Sequence, residues 1–197
     1  MVYIIYMAAG NSRRFGKDKL LYKAGEKKLF EYGLLTVAEI GKTREEVDII
    51  VVTRSDEIKI AAEKIGLRAI LSSESKNGAS FTIKKALREI KDLKYGDFIC
   101  FMVADQPFIK SESIVRLIDE AKKTTGIVRL RSKGGPGNPI IFPAELKEEL
   151  LGLEGDEGGR KILLNHKCTY VDIENETELE DIDTFEDFIK NNGKFNF

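Results

Sequence analysis

A segment that joins small residues to a cluster of cations follows an apolar run at the start of the chain: Ala8-Ala9-Gly10-Asn11-Ser12-Arg13-Arg14-Phe15-Gly16-Lys17-Asp18-Lys19. Small residues let backbone N–H groups approach an anion, and the two arginines and two lysines offset its charge, so the composition suits a polyphosphate. Its spacing excludes a Walker loop, because five residues rather than four separate Gly10 from Gly16 and Asp18 stands where a magnesium-holding hydroxyl is needed. It contains no G-x-G-x-x-G either. A strand-to-helix turn with a solvated basic cluster is the bland alternative. Asp105, in Asp105-Gln106-Pro107-Phe108, is a carboxylate suited to bridging a hard cation to phosphate oxygens, or to capping a turn ahead of Ser111. His166 is the only histidine, and Cys100 and Cys168 lack a CxxC partner. That argues against a Ser/His/Asp triad, a multi-histidine metal site and a thiolate site.

The elements that must carry these groups alternate between strand and helix. Val2–Ala8, Val47–Thr53 and residues 97–104 have the nearly continuous, β-branched hydrophobicity of strands covered on both faces. Between and after them, Phe30, Leu34 and Val37, then Ile83, Leu87 and Ile90, then Ile114, Leu117, Ile118 and Ala121 recur at helical spacing. Such alternation predicts an α/β fold in three layers, Rossmann-like, with a mostly parallel central sheet and helices on both faces. Ligands then bind at the carboxyl ends of the strands. Three polar or glycine-rich stretches fall near such ends: residues 8–19, residues 72–80 after a short run at 67–71, and residues 105–107. From Gly126 onward a strand, a loop over residues 132–137, a strand-like Pro139–Phe142 and a short helix up to Leu151 predict a mixed sheet edge. A strand at 168–173 and a helix from Thr184 follow.

A chain of 197 residues fits one domain, taken as 1–197. Acidic and basic residues number 33 and 32, so no broad field attracts nucleic acid or an anionic membrane. The apolar N-terminus lacks a basic leader and reads as a buried strand, not a signal peptide. No apolar run approaches the roughly 20 residues of a membrane span. The cysteine usage suits a reducing compartment, and a cytoplasmic protein is expected.

The pattern A-A-G-x-S-x-R-F-G-x-x-K-L-L resembles the N-terminal signature of the molybdenum cofactor cytidylyltransferases, within the larger nucleotidyltransferase group. Ala8, Ala9, Gly10, Ser12, Arg14, Phe15, Gly16 and Lys19 fall on its positions. The resemblance implies that this loop, Asn11 included, wraps the β- and γ-phosphates of an NTP while Arg14 and Lys19 stabilise the triphosphate. Ala-Asp-Gln-Pro-Phe resembles the family's magnesium-binding segment, which makes Asp105 the principal ligand of Mg2+. Asp181-Ile182-Asp183-Thr184-Phe185-Glu186-Asp187-Phe188 resembles D-I-D-T-P-E-D-L, with Asp183 the candidate second ligand. In that segment Thr184 is a sound N-cap, with Phe185 and Phe188 facing inward.

Further matches follow in the family's order. Gly78 and Ser80, in Asn77-Gly78-Ala79-Ser80, resemble a segment near the nucleotide base, although Ala79 and Thr82 replace the usual Met and Ser. The same four residues also make a good helix start and nothing more. Gly137-Asn138-Pro139 and Gly155-Asp156-Glu157-Gly158-Gly159-Arg160 resemble segments that border the acceptor, which makes Asn138, Asp156 and Arg160 candidates for acceptor binding or, equally, ordinary turn residues. The resemblance implies transfer of CMP from CTP to the phosphate of molybdopterin, with pyrophosphate leaving and a molybdoenzyme as eventual recipient. Ala9 favours CTP over GTP, since guanylyltransferase relatives usually have L-A-G-G where this chain has Met7-Ala8-Ala9-Gly10. Sugar phosphates or phosphorylated alcohols as acceptors, and a non-catalytic protein that delivers cofactor, are the alternative readings.

Overall fold

The computed structural model describes residues 1–12, 14–16 and 18–195. Arg13 and Lys17, two of the cations read from the N-terminal loop, lie outside the described residues.

Strand β1 (Val2–Ala8) runs through the middle of a seven-stranded sheet. Two short strands, β2 (Lys23–Ala24) and β3 (Lys27–Lys28), form a separate hairpin ahead of helix α1 (Leu29–Thr43). β4 (Val47–Thr53) lies parallel to β1 from Val2↔Val47 to Ala8↔Thr53. Helix α2 (Asp56–Lys64) leads to β5 (Arg68–Leu71), parallel to β4 on the far edge. Helix α3 (Ala79–Glu89) then returns the chain to the other side of β1, where β6 (Phe98–Val103) pairs in parallel from Val2↔Phe98 to Met7↔Val103. Helix α4 (Ser111–Thr124) precedes β7 (Ile127–Ser132) and β8 (Gly135–Pro143); β8 is antiparallel to both β6 and β7. Helix α5 (Lys147–Leu151) and β9 (Cys168–Asp172), parallel to β7, complete the order β5-β4-β1-β6-β8-β7-β9, and α6 (Phe185–Asn191) ends the regular structure.

The helices divide between the two faces because successive strand side chains point to opposite sides. Ile4 and Tyr6 pack with Phe30 and Leu34 of α1, Ile58 of α2 and Leu117 of α4. Tyr3 and Ile5 pack with Ile83 and Leu87 of α3 and Leu150 of α5. This is the expected three-layer α/β arrangement. The chain lays β4 and β5 to one side of β1 and only then β6 to the other, so the strand order reverses at β1 and β6 and the loops after these two strands stand side by side at the carboxyl edge, where a cleft opens. The two most chemically loaded segments of the sequence, residues 8–19 and 105–107, are those two loops.

One buried contact fixes α1 over this edge. Tyr6, fully buried, donates its hydroxyl to Phe30 O at 2.6 Å. Tyr6→Phe removes the donor and is expected to cost about 1–2 kcal/mol in urea denaturation.

Two local expectations need correction. The loop assigned to residues 132–137 shrinks to a tight turn at Lys133 and Gly134, because Gly135 at φ +117° starts β8 and Pro136 already pairs with Arg131. Phe188 packs inward as expected, but Phe185 stays 44% exposed. As the first residue of α6 it lies at the rim of an aromatic cluster, edge-on to Phe15 and Tyr22. Among the described residues, no helix is long and apolar enough to cross a membrane.

Candidate active site

The loop after β1 folds back on itself so that its last cation points inward. Asp18 caps a single 3-10 turn, Lys19–Leu21, by accepting from Leu20 N, and Ser12 Oγ accepts from Lys19 N at 3.1 Å. Phe15 is buried and sets its edge against Tyr22 and Phe188. With the loop pinned at both points, Lys19 is only 5% exposed. Across the crevice, Asp105 O accepts from Ile182 N at 2.9 Å, which stitches the segment before α6 to the end of β6. Ile182 is fully buried, so its neighbours Asp181 and Asp183 face away from the core. The capping box of Thr184 and Asp187 then starts α6 directly after Asp183.

Four charged groups converge as a result. Lys19 Nζ donates to Asp105 Oδ2 at 2.7 Å and to Asp183 Oδ1 at 2.8 Å, while Arg14 donates to Asp183 Oδ2 at 2.6 Å. Burial of the ammonium works against its charge, but Asp105 and Asp183 more than offset this and raise the Lys19 pKa above the ordinary lysine value. Asp181 stands beside the pair. Desolvation of its carboxyl, together with the negative charges of Asp105 and Asp183, pushes it up to about 6, against the opposing pull of Gln106 and Lys19.

A divalent metal fits this donor set. Asp105, from the middle of the chain, and Asp183, from near its end, aim one oxygen each at a single cation position, where Lys19 Nζ now sits. Among the described residues no group of three or more His, Cys, Asp or Glu side chains forms a closed metal cage. Two carboxylates with the remaining positions left to water and phosphate oxygens is the ordinary protein contribution to a magnesium–nucleotide site.

Two contiguous clefts open over these groups, sharing Gly10, Asn11, Lys19, Asp105 and Asp156 as walls. Ser12, Arg14 and Asp183 line the outer one, and Ala9, Gly78 and Thr82 the inner one. Asn11 is held there by accepting from Arg54 and donating to Lys76 O at 2.8 Å. Ala8 is buried as the last residue of β1. Ser80 lines neither cleft: it is fully buried, and both its hydroxyl and its N–H go to Gly155 O, at 2.8 and 3.1 Å. The hydroxyls that do wall the inner cleft belong to Ser75 and Thr82, in a buried chain from Thr82 through Ser75 to Ser72.

The three residues assigned to an acceptor separate. Asp156 joins Lys19 and Asp105 in the two clefts, because Gly78 and Ser80 draw the loop that carries it against the start of α3. Arg160 lines a different cleft with Gln106, Gly137 and Asp181. Asn138 sits half-buried on β8, next to carbonyls held by Arg129, which donates to Gly137 O at 2.8 Å and Pro136 O at 2.9 Å. Burial and then the charge of Arg160 lower the Arg129 pKa. Arg129, Gln106, Ser75 and Asp181 were not singled out from sequence. Asp181 was legible in principle, since acids flanking an apolar residue in an extended segment share one side. Ser75 and Gln106 fall within the polar stretches 72–80 and 105–107, whereas Arg129 carries no local signal.

The sequence matches the MobA-like NTP transferase domain over residues 4–169. A comparison with curated proteins finds no match. Among solved structures, the fold is similar to Rv0371c from Mycobacterium tuberculosis H37Rv at TM-score 0.80 and 23% identity, over 96% of this chain and 95% of that one. The Mycobacterium tuberculosis protein has also been solved in complex with manganese. A nucleotidyl transferase from Methanothermobacter, Mth528, superposes at TM-score 0.79 and 20% identity over 99% and 97% of the two chains. CMP:2-keto-3-deoxy-manno-octonic acid synthetase, complexed with CTP, does so at TM-score 0.78 and 10% identity over 98% and 97%. With a family match spanning most of its length, the chain belongs to the MobA-like NTP transferase domain family and is a nucleotidyltransferase.

Proposed function

We propose that the protein transfers CMP from CTP to the terminal phosphate of molybdopterin, the organic part of molybdenum cofactor, and releases pyrophosphate. The observation that carries the reading is the meeting of Arg14 and Lys19, from the loop after β1, with Asp105 and Asp183 at the switch point of the sheet. An acceptor phosphate oxygen attacks the α-phosphorus in line, a bond to that oxygen forms, and the bond to the bridging oxygen of the pyrophosphate breaks. A phosphate nucleophile is already ionised at neutral pH, so no histidine or cysteine base is needed. The backbone around Gly10 and the cations of Arg14 and Lys19 receive the negative charge of the triphosphate and of the departing pyrophosphate. Asp105 and Asp183 would hold Mg2+, which neutralises charge at the reacting phosphates. Asp156 walls the same clefts as Lys19 and Asp105, and Arg160, in the neighbouring cleft with Gln106 and Asp181, offers a cation to the acceptor.

Ala9 supports CTP as donor, and so does the fold relative solved with CTP. The test is pyrophosphate release from each of the four common NTPs with Mg2+ and molybdenum cofactor, with sugar 1-phosphates and phosphorylated alcohols as rival acceptors. Release is expected with CTP and molybdenum cofactor. Release with GTP alone overturns the choice of base, and turnover only with a sugar phosphate or phosphorylated alcohol overturns the acceptor. Tight CTP binding without release under any of these conditions makes the protein a cofactor carrier rather than an enzyme.

A further inference from the structure

The same ammonium that would meet the triphosphate closes the metal position when no nucleotide is bound. Lys19 Nζ lies 2.7 Å from Asp105 Oδ2 and 2.8 Å from Asp183 Oδ1, and Arg14 occupies the other oxygen of Asp183. Both carboxylates are thus engaged by cations, and the position between them that a divalent ion would take is filled by the ammonium, even though Asp156 and Asp181 add negative charge nearby. A metal ion bound at roughly 2.0–2.1 Å from the same oxygens would press directly against the ammonium. The side chain of Lys19 is only 7% exposed, so its charge is compensated by these carboxylates rather than by water. A buried ammonium stripped of its carboxylate partners is strongly unfavourable. The ammonium therefore leaves the acids only for another anion within reach. The surface that offers one is the cleft lined by Gly10, Asn11 and Ser12, which Lys19 also lines.

We propose that Lys19 is an internal counter-cation that gates the metal position: Asp105 and Asp183 accept a divalent ion only when a polyphosphate draws the lysine away. The proposal rests on the reading of these two acids as the metal-holding pair. By linkage, metal and polyphosphate then raise one another's affinity for the protein by the same factor. The exposed Arg14, 71% accessible, trims the charge of Asp183 but does not stand between the acids.

Titration of the full chain with Mn2+ alone, followed by the electron paramagnetic resonance signal of the free ion, tests this without turnover. Wild type is expected to bind Mn2+ only in the millimolar range. Lys19→Gln should bind it at least about tenfold more tightly, within the usual span of such couplings. Lys19→Arg, which keeps a cation between the acids, should remain as weak as wild type. Arg14→Gln removes the same unit charge and should gain no more than about threefold, the scale of a single exposed ion pair. Equal gains for Arg14→Gln and Lys19→Gln would reduce the effect to net charge and overturn the gate. Micromolar binding by wild type with no polyphosphate present would overturn it without any variant, which covers the case in which Lys19→Gln fails to fold. The double variant Lys19→Gln/Asp105→Asn separates the gate from the site. If it loses the tight binding, the acids hold the metal; if Lys19→Gln gains nothing over wild type while Asp105→Asn still weakens binding, the gate alone is wrong. If neither Asp105→Asn nor the double variant alters Mn2+ binding, the metal-site reading falls as well.

Discussion

Asp105→Asn is expected to lower the rate of pyrophosphate release by roughly a hundred- to a thousandfold, the usual consequence of removing one fixed charge from a reacting phosphate site. The swap keeps the shape of the side chain and the backbone bond from Ile182 N to Asp105 O, so the connection between β6 and the segment before α6 survives. Lys19 retains Asp183 as a partner. The buried Lys19 loses one of its two charge-assisted hydrogen bonds, and the loss of stability should be about 1.5–3 kcal/mol. The result is read as the dependence of turnover on Mg2+ concentration beside a urea denaturation curve. Near-normal turnover with an unchanged metal requirement would mean that the reacting phosphate lies elsewhere.

Gly78→Ala should have the largest effect on folding, at about 3 kcal/mol or more in urea denaturation, with the cleft walls lost along with it. Gly78 has φ +134° and ψ 172°, a region closed to residues with a side chain. A Cβ there would lie 2.1 Å from Gly155 O and 2.3 Å from Gly155 C, both backbone atoms that have no flexible end to yield. The approach matters because Gly155 O takes both donors of Ser80 and the next residue, Asp156, lines the same clefts as Lys19 and Asp105. Gly10→Ala is the control: its Cβ meets nothing within 4 Å, and its effect on folding should be about 0.5 kcal/mol or less. Equal denaturation midpoints for the two variants would show that the loop at 155–156 is not held by this contact.

The layered fold was open to inference from the chain alone because its signals are local. Continuous apolar runs at Val2–Ala8 and Val47–Thr53, with helical spacing at Phe30, Leu34 and Val37, can satisfy their burial only as central strands and covering helices. The cation-rich loop and Asp105 were legible for the same reason, since each follows such a strand. β8 extends further back than the sequence predicts because Pro136, a residue poor in strands, is tolerated where the β7–β8 register shifts between Arg129 and Arg131. Phe185 was read as buried because helical periodicity does not say where a helix leaves the core.

What the sequence by itself determined is which residues can carry this chemistry and on which kind of edge they stand. Only the tertiary structure decided how they meet. The 164-residue separation of Lys19 and Asp183 is closed by one backbone bond, Ile182 N to Asp105 O, and by a sheet order that no local pattern encodes. The same folding turned Ser80 from a cleft residue into a strut for Gly155 and placed Asp156 and Arg160 in different clefts. It also set the ammonium of Lys19 between two acids. Residue type follows from the chain, but a charge's partner depends on which distant segments the packed core brings within about 3 Å, and that is a property of the assembled sheet.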